Sequence, residues 1–414
     1  MNRDLPLSIH WDYYDQVWRH GGVYGRTQMR RLCDDAKAAG VTSLSFRVEG
    51  AGMSWVPTRT RPVFKKYEPG RCVEFADFSR VPVSSVAEQE RVRVAEIFRQ
   101  TYQEVGDPLA VACEAAKEAG LKLNIYICPL DQYWPGVPDS IIEKHPERCI
   151  VSRDGRQRLA VPSLAYEENR QWLLDYYREI FERDFADVIV YSGSHAWYSY
   201  PLDVPDDFFG FEEPAVIEYY NKTGIDVHKD DFNIDDYYRH YGTYWTALLR
   251  ELAVMQGERG RRLIVGMDMG PWQVYLPAKC GGPRCSWRVQ NDWRTWTGWG
   301  NVDLCVGHQV NMWEYAGWPG NQLPYMPGEP GRPPCEYLDE VFGTPESRAF
   351  SVWSFLTLHK DRADREIPTA FDGSRRLGYD GLMIREAMDF EFDLGWDVIR
   401  DQVGSLTEAV KRDE

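Results

Sequence analysis

The chain has 414 residues and a formal net charge of −16. A charge of that sign repels phosphate backbones and anionic lipid headgroups, so the sequence predicts neither a nucleic-acid nor a membrane partner. Hydrophobic residues make up 43%, which argues against a disordered chain, and the length holds two average domains or one large barrel with long loops.

The chain opens MNRDLPLSIHWDYY, without the basic, apolar and small-residue pattern of a cleaved signal, and a cytoplasmic location is expected. A first strand, Leu5 to Trp11, is followed by a helix, RTQMRRLCDDAKAAG, that should end with a left-handed residue at Gly40. The second strand is VTSLSFRV. A Pro-rich excursion from Val56 to Pro82 and a helical stretch around Val86 to Gln103 separate it from the next unit. There Asp107 and Pro108 start a helix, LAVACEAAKEAG, and LKLNIYICP is strand three. Helix YEENRQWLLDYYREIFERD leads to strand four, ADVIVYSG, and an inserted helix, PAVIEYYNKTG. An amphipathic helix from Asp235 to Met255 precedes strand five, RRLIVGMD.

The Trp-rich run SWRVQNDWRTWTGWG reads as a helix packing on the sheet before strand six, NVDLCVG. His308 to Pro345 reads as a long active-site loop. Strand seven lies within AFSVWSFLTLH, a stretch equally compatible with a helix, and strand eight is YDGLMIREA, closed by a helix near Trp396 to Lys411. Alternating strands and helices of this kind predict the α/β class, a (β/α)8 TIM barrel with long inserted βα loops. We expect one domain over residues 1–414, with insertions near 50–105, 193–234 and 308–345.

The nine cysteines are spread along the chain and read as small core hydrophobes in a reducing compartment. Cys280 and Cys285 lack a second pair at zinc spacing.

In such barrels the reacting groups stand at the C-terminal strand ends and in the loops after them. That rule selects Trp11 and Asp12 after strand one, Arg47 and Glu49 after strand two, and Asp131 after strand three. It selects His195 after strand four, Asp268 and Trp272 after strand five, and His308, Asn311 and Trp313 after strand six. Strand eight ends in Arg385 and Glu386. Carboxylates, Arg, His and Trp at one mouth suit glycosidic-bond hydrolysis, where one carboxylic acid protonates the leaving oxygen and a second carboxylate attacks or activates water. Asp268 and Glu386 are taken as the catalytic pair because each directly ends an apolar strand, with Glu49 in reserve. The other nine, Arg385 apart, are taken as carbohydrate-binding. A carboxylate at a barrel mouth can equally serve only to pair an Arg or bind a hydroxyl.

The stretches DPLAVACEAAKEAGLKLNIYICP, HPERCIVSRDGR, PSLAYEENRQWLLDYYREIFERDFADVIVY, GFEEPAVIEYYNKTGIDV and GYDGLMIREA resemble a bacterial group of glycosyl-hydrolase-like (β/α)8 proteins related to the family-10-like lipoproteins. The resemblance implies a barrel with a carbohydrate-binding mouth. It also implies an Asp at the end of strand four, where this chain has Tyr191 and Ser192. Its strand-eight Glu matches Glu386. The expected function is a glycoside hydrolase, exo-acting on a small oligosaccharide or glycoside, with no cofactor and with a homo-oligomer left open. The missing strand-four Asp keeps a catalytically inactive carbohydrate-binding barrel open. His195, His308 and His359 keep open a metal-dependent lyase or isomerase, although their spacing is not that of a metal motif. YSGSHA is not the turn of a serine nucleophile.

Overall fold

The computed structural model describes residues 5–50, 52–69, 85–132, 141–155, 157–191, 210–267, 292–307, 342–358, 360–376 and 378–403. Twelve strands occur among them: β1 Leu7–Trp11, β2 Ser43–Arg47, β3 Glu49–Gly50, β4 Met53–Ser54, β5 Lys122–Ile127, β6 Cys149–Val151, β7 Gln157–Pro162, β8 Val188–Tyr191, β9 Leu263–Met267, β10 Val302–Gly307, β11 Val352–Thr357 and β12 Gly381–Arg385. Eight of them close into a parallel barrel in the order β1, β2, β5, β8, β9, β10, β11, β12. The last seam pairs Leu7 with Leu382 and His10 with Arg385. The eight barrel strands are the eight expected from alternation, each trimmed by a residue or more, and the ambiguous AFSVWSFLTLH stretch is a strand.

The pleat explains why both faces of each strand are buried yet chemically different. Outward residues such as Leu7, Ile9, Leu44, Phe46, Val188, Val190, Leu382 and Ile384 join the large core beneath the helices. Inward, Tyr126, Ile189, Tyr191, Ile264, Cys305 and Met383 form a separate cluster, with Trp353 and Phe355 packed against it. Tyr191 fills the barrel so completely that a Cβ on Gly266 of the neighbouring strand would lie 2.1 Å from its ring. Among the described residues the barrel interior is therefore packed as a core.

Local signals set the helix boundaries. Asp107 Oδ1 accepts from the Leu109 N–H at 3.0 Å and starts the helix Pro108–Glu118. Gly40, at φ 89°, stops the chain after Arg26–Ala38 in the left-handed conformation expected of it. In the Trp-rich run, Trp293 and Trp296 are buried, and Trp296 Nε1 donates to Thr246 Oγ1 at 3.0 Å, so these rings are packing residues. Trp287 lies outside the described residues. Cys33, Cys113, Cys128, Cys149 and Cys305 are free thiols. Among the described residues no helix is long and apolar enough to cross a membrane.

The β6–β7 hairpin and the helix Glu213–Thr223 meet at a buried carboxyl. Glu212 Oε1 accepts from the Val151 N–H at 2.7 Å, and the Tyr241 and Ser163 hydroxyls also face the carboxyl. Burial pushes the Glu212 carboxyl up to about 7. A folded-state value above the unfolded one means that this group's contribution to stability is full at low pH and is lost as pH rises towards 7. Glu212→Gln is therefore expected to gain stability relative to wild type by about 3 kcal/mol between pH 4 and pH 8. Urea unfolding of both proteins at the two pH values measures it, and an equal difference at both would contradict the assignment.

Candidate active site

β1 runs directly into a helix, Tyr13–His20, and this places two carboxylates at the barrel mouth. Asp12 is the N-cap, its Oδ1 accepting from the Tyr14 N–H at 3.1 Å. Asp15 lies three residues on, in the first turn, and so shares a face with Asp12. Arg47, at the end of β2, ties the mouth together: Nη1 donates to Asp12 Oδ2 and Nη2 to Asp131 Oδ2, both at 2.6 Å. Arg47, Asp12 and Asp131 are all buried. Burial opposes the Arg47 charge, but Asp12 and its other neighbours hold the guanidinium well above its ordinary value.

Arg385 and Glu386 enter from the end of β12, with Arg385 Nε donating to Glu386 Oε1 at 2.6 Å. Glu386 is 5% exposed, and its Oε2 has no hydrogen-bond partner among the described residues. That is an acceptor held ready, because a buried carboxylate oxygen without a donor is costly unless something else binds it. Asp15 is half-buried. Its carboxyl is raised well above the usual carboxylate range, first by burial and then by the negative charges of Asp12 and Glu386, against the opposing pull of Arg385 and Arg47. Half-buried and crowded by acids, Asp15 is pushed towards its protonated form, the form a general acid needs.

Beneath these groups lies a neutral floor. His10 Nε2 is 3.1 Å from Tyr191 Oη, and its ring stacks on Tyr126 with centroids 4.8 Å apart. Burial, together with Arg385 and Arg47, lowers the imidazole to about 3, although Asp12 pulls the other way. At neutral pH His10 is therefore uncharged and serves to shape the floor.

Four sequence-selected residues share this mouth: Asp12, Arg47, Asp131 and Glu386. Two expectations are corrected. Trp11 has the parity of Leu7 and Ile9, so it faces the helices, fully buried and edge-on to Phe46 at 5.1 Å. It is core and cannot stack on a sugar. Glu49 is also fully buried, and it receives Arg61, the Tyr177 hydroxyl at 2.6 Å and the Cys128 N–H at 3.2 Å. With its oxygens so occupied behind the mouth, it holds the β3–β4 hairpin and is not available to a substrate. Asp268, Trp272, His195, His308, Asn311 and Trp313 lie outside the described residues. The sequence reading missed Asp15; the available signal was a strand passing straight into an acidic first helical turn. Among the described residues no group of three His, Cys, Asp or Glu is placed to hold a metal ion.

A parallel eight-stranded barrel with acids and arginines at its mouth has the architecture of glycoside-hydrolase barrels. The chain is similar over 96% of its length to 99% of the PgaB (BpsB) glycoside hydrolase domain from Bordetella bronchiseptica, at 12% identity and TM-score 0.55. It is similar over 97% of its length to 98% of the catalytic domain of β-amylase from Paenibacillus polymyxa, at 12% identity and TM-score 0.52. At that identity the likeness concerns the fold. No family model matches the sequence, and no curated protein matches it. The (β/α)8 barrel that the resemblance implies is thus borne out, while nothing ties the chain to the family-10-like group.

Proposed function

We propose that the chain is a glycoside hydrolase in which Asp15 is the general acid and Glu386 the second carboxylate. The observation that carries this reading is the pairing of a crowded, half-buried acid with a fixed carboxylate that keeps one oxygen unbonded among the described residues. In the reaction Asp15 gives its proton to the glycosidic oxygen as the C–O bond breaks. Glu386 stabilises or attacks the anomeric carbon, or takes a proton from water, according to how far apart the two carboxyls stand. Arg385 fixes Glu386, and Arg47 fixes Asp12 and Asp131. Asp268 directly follows β9 in sequence and is retained as a third acid, with His195, Trp272, His308, Asn311 and Trp313 as sugar contacts.

The substrate class we infer is a small oligosaccharide or glycoside attacked from one end, in the cytoplasm. The test is release of aryl alcohols and reducing ends from a panel of aryl glycosides and short oligosaccharides by the purified chain. Cleavage of at least one member is expected. Saturable binding across the panel without any product would replace this reading by the inactive carbohydrate-binding barrel.

A further inference from the structure

On the same end of the barrel as the mouth, the segments after β2 and β5 and the first turns of the helix Glu167–Phe181 enclose a second cavity of ≈ 670 Å³. That is within the roughly 300–1,000 Å³ of small-ligand sites. Its wall is built from Arg61, Lys144, His145, Arg148 and Trp172, with Glu168 the acid that lines it and Arg59 at its lip. On a chain of net charge −16 such a wall is out of character.

The local acids are already engaged. Glu168 lies 3.8 Å from Arg148, Glu179 takes the exposed Arg59, and Glu147 lies beside His145 and Arg148. Arg61 is fully buried, with its guanidinium 4.1 Å from the Trp172 ring centre and 4.0 Å from that of Tyr176. Its Nη1 goes to Glu49 and it also pairs with Tyr177, so the guanidinium braces the wall from behind. The exposed Lys144 makes no ion pair among the described residues.

From the exposed Lys144, the neighbouring Arg148 and a half-buried indole lining one cavity, we infer a binding site for an anionic saccharide, one bearing a carboxylate or a phosphate ester. That the anion is carried on a saccharide rests on the glycosidase reading; the requirement for an anion rests on the cavity itself. Trp172 offers an apolar edge to a sugar ring, while the cations around it take the charged group.

Isothermal titration at low ionic strength with glucuronate, glucose 6-phosphate and glucose tests it. At least one acid sugar should bind saturably and at least about ten-fold more tightly than glucose, and Lys144→Ala should weaken that binding about ten-fold, the loss of one charge-assisted contact. Whichever acid sugar binds more tightly identifies the source of the charge. Glu386→Gln should bind as wild type, so loss of hydrolysis at the mouth and loss of anion binding here are read separately. No saturable binding of either acid sugar, equal affinity for glucose, an unaltered Lys144→Ala variant, or binding that disappears in Glu386→Gln would each overturn the inference.

Discussion

Glu386→Gln is expected to lower kcat by about 10³-fold or more on any glycoside the chain cleaves, because the amide can neither attack the anomeric carbon nor take a proton from water. The substitution is nearly isosteric, and its Oε1 can still accept from Arg385, so thermal unfolding should stay close to wild type. Asp15→Asn should behave differently. Loss of a general acid costs about 10²–10⁴-fold where the leaving oxygen needs a proton, and little where it does not. An alkyl glycoside should therefore lose most of its turnover while a dinitrophenyl glycoside keeps it.

The pH profile supplies a second readout of the same residue. Asp15 acts only when protonated, so activity is present at low pH and lost as pH rises through its carboxyl value. Burial, Asp12 and Glu386 place that value above the usual carboxylate range. The alkaline limb should vanish in Asp15→Asn. Near-wild-type turnover in both variants, on both kinds of substrate, would end the assignment.

Arg47→Met should cost about 3 kcal/mol or more of folding stability at pH 7. The guanidinium serves two buried carboxylates at 2.6 Å each, and removing one partner of a buried ion pair is costly. Methionine roughly keeps the apolar volume of the side chain, so the loss reports charge more than packing. Urea unfolding at pH 7 decides it; a cost below about 1 kcal/mol would mean that the triad does not hold the mouth together.

The sequence by itself determined the barrel, because a doubly buried strand and an amphipathic helix have different hydrophobic periods, and eight alternations of the two leave few ways to bury all the apolar faces. It also located the strand ends, and with them Asp12, Arg47, Asp131 and Glu386. Even the place of Trp11 was legible in part: Leu7 and Ile9 mark the helix-facing parity, and Trp11 shares it.

Glu49 was not legible. It has the same parity as Arg47, but the chain leaves the barrel after Arg47 and turns into the β3–β4 hairpin, which carries Glu49 to Arg61 and Tyr177. Only the tertiary structure decided which acids face open space and which are already bonded. A carboxylate's role follows from its neighbours, and some of them come from the opposite end of the chain: Asp15 is held towards its protonated form first by burial, then by Asp12 and by Glu386 across the β1–β12 seam. Periodicity encodes local geometry, whereas charge coupling and desolvation belong to the closed ring.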